Sequence, residues 1–376
     1  MRFCCVLLAL LALQGALGQA PAKAPRADVD ALVKSAAAAE EQGDFSAAVE
    51  SLKKALALDP KRLDVEASLG DALTGAGRFD EAIEVGQRAV AQAPGNVAVR
   101  LSLATAYYRS GNLNRARTEF EAVHAAEPGN LAAAVGLGYC YIKLGKDAEA
   151  ADLLMPLEAG HEENLNLEYV LAFAMIQSGR AEAGILRMEK VAVARKSPDA
   201  YVIAGSAWMY LRKFKEARAD LEAAVKLNPA FPGVQTLVGQ ARYALGDMES
   251  AIPAFQTALR ADPQDFTANL YLGTIRLKQR NFADARPLLE LALQMEPNLP
   301  LARLEMAKLN SMTGKYEEAA EALEDLERAN PSWLDPHVEL ATLYYKLHRP
   351  ADGQREREIV AKIQAQQQKA GPQDGK

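Results

Sequence analysis

A block of about twenty residues recurs along this chain. The segment GRFDEAIEVGQRAVAQAPGN at residues 77–96 returns in altered form as GKYEEAAEALEDLERANPSW at residues 314–333. One small residue in each block recurs every 34 residues, with a single step of 33: Ala36, Gly70, Ala104, Gly138, Ala172, Gly205, Gly239, Gly273, Ala307 and Ala341. A fixed period of this length predicts an array of stacked repeats, each of which buries its apolar face against its neighbours.

Three further sets of residues keep the same period. The first set is again small: Ala48, Ala82, Ala116, Ala150, Gly184, Ala217, Ala251, Ala285, Ala319 and Gly353. Glycine at residues 43, 77, 111, 145, 179, 246 and 314 lies between the two small sets, and proline closes seven repeats at residues 60, 94, 128, 229, 263, 297 and 331. We expect two helices per repeat, a glycine cap after the first helix and a proline after the second, with small residues where the backbones approach closely.

The segments ASLGDALTGAGRFDEAIEVGQRAVAQAP and LYLGTIRLKQRNFADARPLLELALQMEP show the full pattern, and on these residues the chain resembles the tetratricopeptide repeat family. The spacing predicts an all-α fold of about ten antiparallel helix-turn-helix repeats over residues 29–365. The resemblance implies a right-handed superhelical solenoid with a concave groove. Repeats are expected to start near residues 29, 63, 97, 131, 165, 198, 232, 266, 300 and 334.

The match weakens in three repeats. Repeats 4 and 5, residues 131–197, have no closing proline, and Asp147 and Ala181 stand where the pattern has an aromatic residue. Repeat 10 has Pro350 at that place, and a C-terminal capping helix is expected to end the array near residue 365, before a disordered tail at residues 366–376.

The N-terminal segment MRFCCVLLALLALQGALGQA differs from the repeats. Arg2 precedes an apolar run from Phe3 to Leu13, and small residues follow, a pattern that predicts a signal peptide at residues 1–18, cleaved after Gly18 or after Ala20. Residues 19–28 would then be a linker, and the mature protein would be exported, either periplasmic or secreted. The alternatives are a buried helix or a retained signal anchor. No other apolar run is long enough to predict a membrane span after signal cleavage.

The remaining residues give little sign of chemistry. The net charge of -6 disfavours nucleic acid as a partner. The four histidines lie on separate segments, and no two have the spacing of a metal-binding helix, so no metal site, cofactor or catalytic residue is predicted. Cys140 falls among buried positions and is expected to be a packed, inert thiol. The sequence therefore predicts a protein that is not an enzyme.

A comparison among repeats predicts the binding surface. Three positions of each first helix, spaced i, i+4 and i+7, share one face and vary from repeat to repeat. In repeats 3–7 they hold Leu101/Thr105/Tyr108, Val135/Tyr139/Ile142, Tyr169/Phe173/Ile176, Val202/Ser206/Met209 and Thr236/Gln240/Tyr243. We call these the wall positions, because the resemblance implies that this face lines the groove.

The large residues at the wall positions, with their flanking residues, are the candidate site. The predicted partner-binding residues are Tyr108, Arg109, Tyr139, Ile142, Lys143, Tyr169, Phe173, Ile176, Met209, Tyr210, Gln240 and Tyr243. The alternative is that these side chains belong to the core or are covered by close stacking of the repeats.

The predicted function is a scaffold that binds a protein or an extended peptide in the groove, in the assembly of cell-envelope or secretion machinery. One alternative is an oligomerisation module, in which the aromatic residues mediate self-association into a homo-oligomer. Another is a regulatory accessory subunit of an envelope enzyme or export complex. Catalysis by the chain itself is disfavoured because every repeat is already used to build the array.

Overall fold

The computed structural model describes residues 26–370, and over this range the chain forms twenty helices and no strand. The signal peptide, linker residues 19–25 and tail residues 371–376 lie outside the described residues. The first five helix pairs are α1 (Arg26–Glu41) and α2 (Phe45–Leu58), α3 (Leu63–Gly75) and α4 (Phe79–Gln92), α5 (Val97–Arg109) and α6 (Leu113–Ala126), α7 (Leu131–Lys143) and α8 (Asp147–Glu158), and α9 (Leu165–Gln177) and α10 (Ala181–Arg195). The other five are α11 (Pro198–Tyr210) and α12 (Phe214–Leu227), α13 (Val234–Ala244) and α14 (Met248–Ala261), α15 (Phe266–Lys278) and α16 (Phe282–Met295), α17 (Pro300–Met312) and α18 (Tyr316–Ala329), and α19 (Leu334–Lys346) and α20 (Pro350–Ala370).

The all-α fold of ten helix pairs is confirmed. Each first helix begins within three residues of its expected start, because the period fixes where each apolar face resumes. Two boundaries differ from those expected. Helix α1 begins at Arg26, inside the expected linker, and α20 continues to Ala370, so residues 366–370 of the expected tail are helical. These residues, QQQKA, are mostly good helix formers that extend the preceding helix.

The chain divides into two compact units, and the boundary between them in the sequence falls within α10. The first unit ends at Gly184 and the second begins at Ile185. In the first unit, helices that are neighbours in the sequence pack together, and α5 also contacts α3 and α7. One cluster of its core contains Leu103, Tyr107, Phe120 and Leu137. In the second unit the same pattern holds from α11 to α20, with Leu289, Phe255 and Leu323 among the fully buried side chains.

The turn inside each repeat has one backbone conformation whether or not it contains glycine. All seven expected turn glycines have a positive φ, between 70° and 86°. Repeats 6, 8 and 10 place Arg212, Arg280 and His348 at the same turn position, with φ of 58–59°. Left-handed backbone strains a residue with a Cβ atom by roughly 1–2 kcal/mol. The packing of the two flanking helices therefore imposes the turn, and in these repeats it overrides local preference.

Second helices end as the proline set predicts. In the seven repeats with a closing proline, the last helical residue lies two positions before it, as at Leu58 and Pro60. Repeats 4 and 5 stop their second helices differently. Helix α8 is followed by Gly160 with φ 84°, and the longer α10 is followed by Lys196 with φ 51°. A left-handed residue thus replaces proline as the stop signal.

Side chains of neighbouring helices fill the space beside the small residues. A Cβ atom added at Gly70 would lie 2.5 Å from the Ser102 Oγ, and one added at Gly239 would lie 2.6 Å from the Phe255 ring. The first contact joins neighbouring repeats, and the second joins the two helices of one repeat. A larger side chain at these positions would separate the helices, so the small-residue period is a packing requirement.

The strained turns predict that Arg280→Gly stabilises the protein. Relief of the left-handed strain exceeds the added entropy of an unfolded glycine, so we expect a net gain of about 0.5–1 kcal/mol. Gly314→Ala, at the matching turn with φ 86° and open space around the position, should lose about 1 kcal/mol. Thermal unfolding followed by circular dichroism measures both changes. Arg280→Ala is the control, because it removes the side chain and keeps the strain; a gain equal to that of glycine would contradict this account.

Candidate partner-binding surface

In the first unit, capping asparagines fix the start of the three helices that carry most of the predicted site. The side chains of Asn96, Asn130 and Asn164 accept hydrogen bonds from the backbone N–H groups of Val99, Ala133 and Leu167 at 3.2, 3.0 and 3.0 Å. Such caps stabilise a helix by about 1 kcal/mol and define its first residue. Because α5, α7 and α9 start at equivalent residues, their wall positions fall on equivalent faces.

The first unit brings together large, half-buried side chains at the wall positions. We define the first patch as Tyr108, Tyr139, Ile142, Tyr169, Phe173 and Ile176, all of which are half-buried. In repeat 2 of the same unit, Ala67 and Thr74 occupy the first and third wall positions and are buried. The larger side chains at these positions in repeats 3–5 are therefore less completely covered by their neighbours than those of repeat 2.

Packing within the first patch holds one side of these residues in place. The rings of Tyr108 and Tyr139 lie 5.9 Å apart with an interplanar angle of 42°, which joins repeats 3 and 4. Burial and the neighbouring Tyr139 raise the pKa of the Tyr108 phenol. Tyr139, Ile142 and Tyr169 also pack against a buried cluster that includes Leu167 and Leu171. These residues are thus supported by the core while part of each remains accessible.

Arg109 and Lys143 flank the first patch. Both side chains are exposed, and each lies in the last turn of its helix. A cation at this place is stabilised by the negative end of the helix dipole, which accounts for part of the preference for a basic residue. It also gives the first patch a positive edge in a protein whose net charge is -6.

In the second unit, we define the second patch as Met209, Tyr210, Gln240 and Tyr243. Tyr210 is 87% exposed, more than any other large apolar side chain in the described part of the chain. The other three residues of the patch are half-buried. By contrast, the first and third wall positions of repeats 8 and 9 are buried. These are Leu270, Leu277, Leu304 and Ser311.

Tyr243 is held by neighbours that sequence reasoning missed. Its ring meets Tyr271 edge to face at 5.1 Å, and its hydroxyl accepts a hydrogen bond from the Lys278 Nζ at 2.7 Å. Lys278 lies in repeat 8 at the position that Arg109 and Lys143 occupy in their own repeats. The repeat spacing contained this signal, because the last turn of one first helix lies beside the third wall position of the previous repeat.

A pair of carboxyl groups, those of Glu189 and Asp220, is linked to the second patch through Trp208. The Trp208 Nε1 donates a hydrogen bond to the Glu189 Oε1 at 2.8 Å, and Asp220 is hydrogen-bonded to Glu189. Burial, followed by the repulsion of Glu189, raises the pKa of Asp220 to about 7. Trp208 precedes Met209 in α11, so the pair is hydrogen-bonded to the helix that carries Met209 and Tyr210 of the second patch.

Cys140 has the environment expected from the sequence. It is fully buried, and burial raises the pKa of its thiol to about 11. A thiol in this state is protonated at neutral pH and is a poor nucleophile.

None of the helices in residues 26–370 combines the length and the apolar character that a membrane crossing requires.

Two family models described as tetratricopeptide repeat match the chain. One matches residues 33–97, 101–154, 204–266 and 237–300, which cover more than half of the sequence. The other matches residues 73–123 and 276–342. No enzyme family is among these matches. A search of the curated proteins finds no match.

Three solved structures show the extent of the similarity. The APC/C hetero-tetramer Cut9–Hcn1 is 16% identical with a TM-score of 0.49; the match covers 74% of this chain and 55% of that one. The C-terminal part of a tetratricopeptide repeat protein from Cytophaga hutchinsonii is 18% identical with a TM-score of 0.52, covering 63% of this chain and 97% of that one. MamA from Desulfovibrio magneticus RS-1 is 19% identical with a TM-score of 0.40, covering 47% and 97%. The Cytophaga structure supports the fold, and at these identities no likeness extends beyond it.

The carboxyl pair predicts a dependence of stability on pH. Between the unfolded pKa of Asp220, about 4, and its folded pKa of about 7, the folded protein holds a proton that the unfolded chain has lost. This contribution to stability is therefore complete below pH 4 and is lost as the pH rises to 7. Asp220→Asn stays neutral throughout and should be more stable than the native chain by at least about 1 kcal/mol at pH 8, with little difference at pH 4.

Thermal unfolding at several pH values tests this expectation. Glu321→Gln is the matched control, because Glu321 is an exposed acid in the middle of α18. Equal pH dependence in Asp220→Asn and the native chain would contradict the assignment.

Proposed function

The chain belongs to the tetratricopeptide repeat family, and we propose that it is a non-catalytic scaffold that binds an extended peptide or a protein partner at the wall positions of its central repeats. The contrast in burial among equivalent positions carries this proposal. Large side chains at the first and third wall positions are half-buried in repeats 3–6, whereas the residues at these positions are buried in repeats 2, 8 and 9. A surface of supported, partly exposed aromatic residues is typical of binding sites for proteins.

The first patch has the chemistry to bind an apolar segment with acidic flanks. An aromatic side chain offers about 150–250 Å², of which roughly a quarter remains to be covered here. At about 25 cal/mol per Å², each such residue would contribute roughly 1 kcal/mol toward a partner. The exposed Arg109 and Lys143 favour acidic residues at the edge of the bound segment.

Substitution of Tyr169 and Phe173 by alanine tests the proposal. The double variant should capture partners at least tenfold more weakly in cross-linking from the native host, because it removes two supported aromatic rings from the centre of the first patch. Partners are identified by what co-purifies with the native chain. Their affinity for the native chain and the variant is then measured with purified components.

A second double variant, Leu186→Ala with Val193→Ala, is the matched control. These side chains are 61% and 65% exposed on α10 and lie outside the wall positions, so their loss should leave the fold and the capture unchanged. Undiminished capture by the Tyr169/Phe173 variant, or a loss confined to the α10 variant, would contradict the proposal.

The exposed pair on α10 favours a second candidate function, the oligomerisation module. Leu186 and Val193 are spaced i, i+7 and share one face of the helix. If this face mediates self-association, light scattering over a range of concentrations should show a homo-oligomer that the α10 variant dissociates. A native chain that stays monomeric throughout would eliminate this alternative.

We further propose that the protein acts after export, in the assembly of envelope or secretion machinery, with a regulatory accessory subunit as the alternative role. The signal-like N-terminal segment supports export. Cell fractionation and N-terminal sequencing test it. The mature chain should be exported and should begin at Gln19 or Pro21, whereas an intact N-terminus on cytoplasmic protein would refute export.

A further inference from the structure

Three ligand-type side chains meet at the last junction between repeats in the second unit. Glu327 comes from α18, His337 from α19 and Glu356 from α20, and one ligand atom from each lies within 4.8 Å of the other two. His337 and Glu356 are 1% and 4% exposed, and Glu327 is half-buried. We call these three residues the C-terminal triad.

The orientation of the imidazole leaves one nitrogen for a ligand. The His337 Nε2 lies 3.0 Å from the Pro331 carbonyl oxygen, which can only accept, so Nε2 carries a proton. The Nδ1 lies 2.7 Å from the Glu356 Oε2 and 3.9 Å from the Glu327 Oε1. A hydrogen bond from one ring nitrogen to a backbone carbonyl, which directs the other nitrogen at an electrophile, is the usual support of a metal-binding histidine.

Comparison with the preceding repeat shows that the two carboxyl groups of the triad replace apolar side chains. One period earlier, Glu327 corresponds to Leu293, which packs against a hydrophobic cluster. In the same way, Glu356 corresponds to Ala322, which packs against another. Repeats 9 and 10 thus each place one carboxyl group where the preceding repeat places an apolar side chain. In the described part of the chain, His337 is the one basic side chain within ion-pair distance of either carboxyl.

The charges of this arrangement would favour a further cation. Burial of a carboxylate is costly unless it is paired, and here two carboxyl groups share one imidazole. The His337 Nδ1 and the Glu356 Oε2 lie 2.7 Å apart. Both atoms are acceptors unless a proton lies between them. A divalent cation in place of that proton would neutralise both carboxyl groups.

We propose that the C-terminal triad is a binding site for a divalent transition metal of the zinc class. Imidazole with carboxylates suits such ions, and three protein ligands are the number found where a fourth position is left open. Tetrahedral zinc, with bonds of about 2.1 Å, places its ligand atoms roughly 3.4 Å apart. The Nδ1–Oε2 pair must therefore open slightly and Glu327 must move closer. The Glu327 side chain is 27% exposed, which gives it room to move and gives the ion a path of entry.

Sequence reasoning missed this site because its ligands come from three helices and show no local motif. The available signal was a comparison with the preceding repeat, in which Glu327 and Glu356 stand where Leu293 and Ala322 stood one period earlier. The ion would join α18, α19 and α20, and so would fasten the last repeat to the one before it.

Zinc binding by the full chain, stripped with a chelator, tests the proposal. Zinc chloride is titrated in competition with a chromophoric chelator, and thermal unfolding is followed in parallel. We expect the native chain to bind one zinc ion at this site and its unfolding midpoint to rise with zinc. Calcium, which prefers oxygen ligands, should produce neither effect.

Two variants remove a ligand while copying residues that other repeats already use. His337→Asn reproduces Asn269, whose Nδ2 donates to the Pro263 carbonyl at 3.0 Å, so the structural hydrogen bond is kept. Glu327→Leu reproduces Leu293. Each should bind zinc at least thirtyfold more weakly at this site, whereas His161→Asn, at an exposed histidine, should bind as the native chain does. A native chain that binds no zinc, or a His337→Asn variant that binds it equally well, would overturn the proposal and leave the triad as a buried ion pair.

Discussion

The structure depends on close packing at the small residue that recurs in the helices of each repeat. A Cβ atom added at Gly239 would lie 2.6 Å from the Phe255 ring, and one added at Gly70 would lie 2.5 Å from the Ser102 Oγ, so a larger side chain would force its neighbours to move. This constraint limits how closely the helices can pack, and the packed helices in turn impose the conformation of the turn between them. The repeats can therefore differ freely on the surface while they share one packing geometry.

Much of the fold was predictable because the packing constraint is periodic. The starts of first helices and the turn glycines followed directly from the 34-residue period. The stops at Gly160 and Lys196 were not predictable, because neither residue by itself marks the end of a helix. Only the structure shows that each has a left-handed backbone. The last turn of α20 was missed for a related reason: a polar, glutamine-rich segment is compatible with both a helix and a disordered tail.

The helix face that carries the candidate site could be predicted from the sequence, but the exposure of its side chains could not. Spacing alone placed Tyr108, Tyr139 and Tyr169 on one face of their helices, but the exposure of each ring depends on how far the neighbouring repeat covers it. Partners such as Lys278 depend on contacts between repeats, and the same holds for the ligands of the C-terminal triad. Comparison of equivalent positions among repeats is the sequence-level method that reaches these contacts.

The turn has a consequence for how such a chain changes over time. Arg212, Arg280 and His348 adopt the backbone that glycine adopts elsewhere, so a junction between two helices does not require a particular residue. A mutation there changes stability without altering the path of the chain. Duplication or loss of a whole 34-residue block would then join helices through a connection that already works, and the length of the array becomes a trait that gene rearrangement can adjust in single steps.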